Sequence, residues 1–245
     1  MTQTILTITD NRLLAPGVFR MRLAGLTPEE EIRPGQFVQL QIPGHFLRRP
    51  ISVCDAEYGV LTLIYKAVGE GTRILAGMRP GETLDVLAGL GNGYDLSRAG
   101  AAPVLVGGGV GIPPLYYLAK KLLRAGVTPR VLLGFNRSDE IFYEDEFAAL
   151  GAAVTVVTLD GNAGEKGFVT EHLPADLTCF YACGPLPMLK ALCRATDVPG
   201  QLSLEERMGC GFGACMGCSI QTANGPKRVC KEGPVFKKEE LLWED

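Results

Sequence analysis

The sequence predicts an all-β region followed by an α/β region: an antiparallel β-barrel, a Rossmann-like parallel α/β domain and a small cysteine-rich segment. Three observations predict this. Up to about Val86 the chain consists of short runs of period two, punctuated by Pro-Gly turns. From Ala101 apolar strands alternate with helical stretches. From Gln201 the composition turns to glycine and cysteine. The domain limits read as residues 1–98, 99–200 and 201–245.

In the first region Val18-Phe-Arg-Met-Arg-Leu23 alternates apolar and polar. Gln36 to Ile42 and Leu61 to Tyr65 are further strand-like runs, with Pro34-Gly35 and Pro80-Gly81 as turns. Several short strands with such turns suit a small barrel. In the second region Pro103 to Val106 is a short apolar strand, Gly107-Gly-Gly-Val-Gly111 follows, and Pro113 to Leu123 reads as a helix. Val131 to Phe135, Val154 to Leu159 and Cys179 to Ala182 repeat the strand pattern. Helical stretches at Glu144 to Leu150 and Pro187 to Arg194 lie between them, as a parallel sheet requires. The third region is too short for a core of its own and is expected to need a metal centre.

A net charge of −3 provides no basic field for nucleic acid. The opening residues lack a charged stretch leading into an apolar one, which argues against a signal peptide. The most apolar run, Ala102 to Ala119, is broken by glycines and two prolines, so no membrane span is expected. A cytoplasmic protein follows as the expectation, and with it cysteines that serve as thiols or ligands rather than disulfides.

Cys210, Cys215, Cys218 and Cys230 are separated by four, two and eleven residues. That is the plant-type 2Fe–2S spacing. Thiolates are soft and anionic, and four of them complete two tetrahedral irons. Gly209, Gly211, Gly213 and Gly217 suit a loop wrapped tightly around sulfur. Structural zinc usually draws on two separated close pairs, whereas here three thiols share one loop. Cys54, Cys179 and Cys193 stand singly in apolar runs and read as core fillers.

Gly107, Gly108, Gly109 and Gly111 lie between a strand and a helix, where N–H groups and the helix dipole favour a pyrophosphate. Tyr181-Ala-Cys183-Gly184-Pro185 is a second glycine-containing strand end that opens a helix. Two such loops in one parallel sheet point to a dinucleotide. In the loop Asn136 to Glu140, Asp139 or Glu140 suits a free ribose hydroxyl and Arg137 a 2′-phosphate. NAD is the expectation, with NADP open.

Arg49-Pro50-Ile51-Ser52, Gly69-Glu-Gly71-Thr72, GGGVGIPP and YACGP occur in an order that resembles the ferredoxin–NADP reductase superfamily. The cysteine segment behind them makes the chain, from about Leu6 to Phe236, similar to the electron transfer subunits of dihydroorotate dehydrogenase B. The resemblance implies that Arg49 holds the FAD pyrophosphate and that Ser52 reaches the reactive edge of the flavin. It also places Ile64, Tyr65, Lys66, Gly71 and Thr72 along FAD. Ser52 and Cys183 are the candidate catalytic positions.

Two departures from the superfamily stand out. Ile51 replaces the usual tyrosine, and the chain continues into the cysteine segment where many reductases end on an aromatic residue. A nicotinamide carries hydride and a 2Fe–2S cluster one electron, so FAD is the converter between them. His45 and His172 sit in no motif that marks a base for an organic substrate. The resemblance therefore implies an FMN-containing dihydroorotate dehydrogenase catalytic subunit as partner, in a heterotetramer of two of each, serving pyrimidine synthesis. Two other readings stand beside it: a subunit of a sulfide dehydrogenase or ferredoxin–NAD(P) oxidoreductase complex, and a non-enzymatic zinc-stabilised binding module.

Overall fold

The computed structural model describes residues 1–27 and 32–243; residues 28–31 of the first expected domain and 244–245 of the third lie outside them. The first six strands are β1 (Thr2–Ala15), β2 (Val18–Ala24), β3 (Phe37–Leu40), β4 (Arg49–Glu57), β5 (Val60–Lys66) and β6 (Thr83–Leu90). They close into an antiparallel barrel in the order β1-β2-β5-β4-β3-β6. Helix α1 (Glu70–Gly77) lies between β5 and β6. Alternation explains the closure: Leu6 and Ile8, Met21 and Leu23, Leu61 and Leu63, and Leu84 and Val86 all turn into one core. Both Pro-Gly pairs form the expected turns, with Gly35 at φ 90° and Gly81 at φ 95°.

The second region consists of β7 (Pro103–Gly108), α2 (Pro113–Arg124), β8 (Arg130–Phe135), α3 (Glu144–Ala149), β9 (Ala153–Thr158), β10 (Glu165–Lys166), β11 (Cys179–Cys183) and α4 (Leu186–Ala195). The third contributes β12 (Gly200–Ser203), the hairpin β13 (Ser219–Thr222) and β14 (Gly225–Arg228), and β15 (Val235–Lys237). One seven-stranded sheet runs β10-β9-β8-β7-β11-β12-β15, parallel except that β15 pairs antiparallel with β12. The cysteine segment is thus stitched to the nucleotide domain by its own last strand.

Two cores cross the limits expected from the sequence. Val18, Cys54 and Ile64 of the barrel pack with Leu105, Leu115 and Tyr143 of the α/β domain. Phe37 and Leu90 pack with Val104, Phe180 and Leu202, and also with Cys218, Val229 and Cys230. A segment that lacks a core of its own therefore borrows one from both neighbours. Cys54 and Cys179 are buried apolar fillers, as expected, and Cys193 is half-buried against the second core.

Polar contacts tie β4 to α2. Lys120 Nζ lies 2.6 Å from Asp55 Oδ2 and 2.7 Å from Glu57 Oε2. Arg124 meets both carboxylate oxygens of Glu57, one at 2.8 Å. The Tyr117 hydroxyl lies 3.1 Å from the carbonyl oxygens of both Ile32 and Ala56.

Candidate functional site

A cleft of about 660 Å³ opens between the barrel and the parallel sheet. Ser52 and Lys66 enter it from the barrel, Gly108, Gly109 and Gly111 from the first loop, and Cys183, Gly184 and Pro185 from the second. The sheet explains the meeting of the two loops: β7 and β11 are neighbours in register, with Cys183 opposite Gly107. Their carboxyl ends therefore lie side by side, which is where an open α/β sheet takes its ligand.

The glycines have different reasons. A Cβ on Gly111 would lie 2.4 Å from the Cys183 carbonyl oxygen, and one on Gly108 would lie 2.7 Å from Met188 Sδ. A Cβ on Gly107 would meet Ile112 at 2.7 Å. These three permit loop-on-loop packing. Gly109, at φ 50°, has open space before it and is the glycine that leaves room for a ligand. The helix N-terminus also differs from expectation. Pro113 and Pro114 occupy its first two positions, and proline has no N–H to offer. The N–H groups available to an anion there belong to the turn Gly109–Gly111.

Cys183 lies at the cleft but is poorly ionised. Burial pushes its thiol up to about 12, the Ser203 hydroxyl opposes this, and the Glu205 carboxylate adds to it. Ser203 and Glu205 both line the cleft; no sequence motif marked them. At the far end stand Asn136 and Glu140. Arg137 is turned to Asp139 at 2.8 and 2.9 Å, so its guanidinium is engaged within its own loop.

The arginine of the Arg49-Pro-Ile-Ser52 motif lies against α1. A Cβ on Gly71 would stand 2.6 Å from Arg49 Nε, so this glycine is what admits the guanidinium. Thr72 Oγ1 accepts from the N–H groups of Val68 and Gly69 at 3.1 and 3.0 Å and caps the helix. A guanidinium beside a helix N-terminus is a donor set suited to a pyrophosphate. Arg49 is further held by the Leu47 carbonyl and by His45, whose Nδ1 lies 3.1 Å from Nη2. That engagement gives His45 a place its sequence context did not reveal. Pro50 and Ser52 line a second hollow, of about 370 Å³, that leads to Arg207 and Met208. Ile51 packs against the barrel core. Ile64 and Tyr65 are buried, and the Tyr65 hydroxyl donates to Asn11 Oδ1 at 3.0 Å. The Ile64 side chain belongs to a core shared with the α/β domain and the Tyr65 side chain to the barrel core.

The four cysteines gather as two pairs. The thiols of Cys210 and Cys215 touch, and so do those of Cys218 and Cys230. Among the described residues no cysteine is in a disulfide, and no three His, Cys, Asp or Glu side chains converge on a single ion position. A 2Fe–2S cluster takes two thiolates on each iron, whereas one tetrahedral zinc takes four donors together. Cys210 is set up as a thiolate. Burial raises its pKa, but the N–H groups of Cys215, Phe212 and Ala214 outweigh it and bring it to about 6. The Ala214 and Cys215 nitrogens lie 3.2 and 3.4 Å from its sulfur. Burial and the adjacent Cys218 thiol push Cys230 up to about 12. Cys215 is the exposed member, flanked by Phe212 and Met216, which are 46% and 54% exposed.

One buried side chain here is orphaned. Gln39 is 0% exposed, and neither its Oε1 nor its Nε2 has a hydrogen-bond partner among the described residues. An unsatisfied buried amide costs about 1–3 kcal/mol.

Known proteins resemble this chain over most of its length. Residues 205–242 match the iron-sulfur cluster binding domain of dihydroorotate dehydrogenase B. Residues 105–194 match the oxidoreductase NAD-binding domain. The dihydroorotate dehydrogenase B (NAD(+)) electron transfer subunit of Geobacillus sp. (strain WCH70) is 44% identical over 256 residues, covering 99% of both chains. Its counterpart from Fusobacterium nucleatum is 43% identical, covering 94% of this chain and 95% of its own. Among solved structures, one of an NADH-dependent reduced ferredoxin–NADP oxidoreductase superposes with a TM-score of 0.89 at 32% identity. It covers 98% of this chain and 90% of its own. A ferredoxin NADP+ reductase from Neisseria gonorrhoeae with bound FAD and NADP shares the fold at TM-score 0.68, 22% identity, and 80% and 90% coverage.

Proposed function

This chain belongs to the family of dihydroorotate dehydrogenase B electron transfer subunits, and we propose that it receives electrons from a separate FMN-bearing catalytic subunit and delivers them to NAD. It is the NAD-linked oxidoreductase subunit of that system, with FAD and a 2Fe–2S cluster as its cofactors, and it serves pyrimidine synthesis. FAD supplies the conversion between one-electron traffic at the cluster and hydride exchange with the nicotinamide.

The roles of individual residues are our reading. Arg49 and the N-terminus of α1 hold the FAD pyrophosphate, with Gly71 and Thr72 shaping that end. Ser52 lies at the junction of the two hollows and orients the flavin edge towards the nicotinamide. Gly109 leaves room for the nucleotide phosphates, and Glu140 reads the ribose. Cys183, kept as a neutral thiol, packs at the nicotinamide without contributing charge. Cys210 and Cys215 hold one iron, Cys218 and Cys230 the other.

The divisions 1–98, 99–200 and 201–245 serve as working domain limits. The heterotetramer of two subunits of each kind and a cytoplasmic location belong to the same proposal. No helix among the described residues is long and apolar enough to cross a membrane. The exposed Cys215, between Phe212 and Met216, is the edge at which the catalytic subunit is expected to dock.

The observation that carries the reading is the pairing of four thiols on a segment whose first residues, Leu204 and Glu205, line the cleft that joins Ser52 to Cys183. Co-purification from the native host tests it. An FMN-containing dihydroorotate-oxidising partner is the expected result; a ferredoxin-linked or sulfide-oxidising partner would assign the chain to another complex.

A further inference from the structure

Strand β3 alternates. Val38 and Leu40 turn into the barrel core, so Phe37 and Gln39 turn outward. Outward from this strand is not solvent but the cysteine segment. Phe37 packs in one core with Cys218, Val229 and Cys230. Gln39 lies flat against Gly211, the residue after Cys210: a Cβ there would stand 2.2 Å from Gln39 Nε2 and 2.8 Å from its Cδ. A break in the β3–β6 pairing falls between Phe37 and Gln39, a place where strands re-aim their side chains. On its other side Gln39 pairs with Pro50 of β4, two residues before Ser52. One side chain thus spans from the strands that carry the flavin motif to the loop that carries the cysteines.

A buried position between a glycine and a barrel wall favours an apolar residue. An amide with both polar atoms unpartnered is tolerable there only if something else completes it. The adjacent groups that change on cofactor loading are the thiolates of the Cys210 loop and the sulfides they enclose. We propose that Gln39 is a positioning residue for the 2Fe–2S cluster, donating a hydrogen bond from Nε2 to sulfur on the Cys210 side. Hydrogen bonds to sulfur stabilise the more negative, reduced state and raise the potential. Glutamine does this without a titrating group, so the effect is constant with pH.

This inference rests on the cluster reading above, and its test keeps the two apart. Iron and acid-labile sulfide in the purified full-length chain test the cluster itself; their absence would overturn that reading and this one with it. The variant Gln39→Met keeps the length and burial of the side chain and removes the amide. It is expected to retain iron, sulfide and FAD at the parent stoichiometry. Its cluster midpoint, followed by potentiometric titration, should move to lower potential, and the electron paramagnetic resonance spectrum of its reduced cluster should change. The flavin midpoints should not move. Gln39→Glu, which replaces the donor with a carboxylate, should move the cluster further in the same direction. An unchanged cluster potential and spectrum in Gln39→Met overturns the proposal. So does a shift confined to the flavin, which would assign the amide to FAD. If Gln39→Met does not fold, Gln39→Asn, which keeps the amide but shortens its reach, is read by the same criteria.

Discussion

Arg49 is positioned by contacts that only the folded chain supplies: the Leu47 carbonyl, His45 and the missing Cβ of Gly71. Replacing it with alanine should remove a charge-assisted contact of about 1.5–3 kcal/mol. FAD affinity should then fall by roughly 10- to 100-fold in a titration of the apoprotein; unchanged affinity would remove Arg49 from the pyrophosphate site. Gly111 makes a sharper demand. An alanine there would press on the Cys183 carbonyl carbon and oxygen at 2.5 and 2.4 Å, and backbone cannot swing aside as a flexible side chain can. Gly111→Ala should slow flavin reduction by NADH while leaving FAD bound, and stopped-flow absorbance reads the difference. At the cluster, Cys215→Ser should lose most of the iron and keep FAD, because the exposed Cys215 contributes nothing to a core. Full iron and sulfide in that variant would contradict the assignment. Glu205, Ser203 and His45 were illegible in the sequence because each acts through a neighbour distant in the chain or through no motif at all.

The junction between β4 and α2 holds the barrel against the parallel sheet, and its charges are unequal. Burial raises the Asp55 pKa, with Lys120 opposing. Burial also raises that of Glu57, but hydrogen bonds from Arg124 and Lys120 outweigh it and leave the carboxyl below its ordinary 4.5. A carboxyl lowered in the folded state stabilises above its unfolded pKa and loses that contribution as pH falls through the folded value. Glu57→Gln should therefore destabilise the protein at pH 7 by about 1.5–3 kcal/mol. The gap from the parent should shrink below pH 4.5 and close once Glu57 is protonated. Thermal melts across pH check this, and a gap constant down to pH 3 would refute it. The sequence showed β2 and α2 by their periods, and β7 and β8 as apolar runs followed by glycine-containing ends. It did not show β15 or α1. Three residues are too few for a pattern, and Glu70–Gly77 is a two-turn helix with a glycine at each end of its run.

For the whole molecule, the two shared cores mean that the cysteine segment is part of the fold and not an appendage. Losing the cluster by Cys218→Ser should leave the far-ultraviolet circular dichroism of barrel and sheet largely intact. NADH-to-dye activity should persist through FAD, and the coupled reaction with the catalytic subunit should cease. The isolated chain should oxidise no dihydroorotate, and such oxidation without a partner would overturn the division of labour. By itself the sequence determined the order of barrel, parallel sheet and cysteine segment, the two glycine loops, the Arg49-to-Ser52 motif and the spacing of the four cysteines. All of these are local patterns: periodicity, spacing and glycine placement are written along the chain. Only the tertiary structure decided that the thiols fall into two pairs, that three of the loop glycines serve packing, and that Gln39 reaches Gly211. These depend on which strands become neighbours across a sheet or a domain boundary. Such contacts join residues far apart in the chain, where no local period records them.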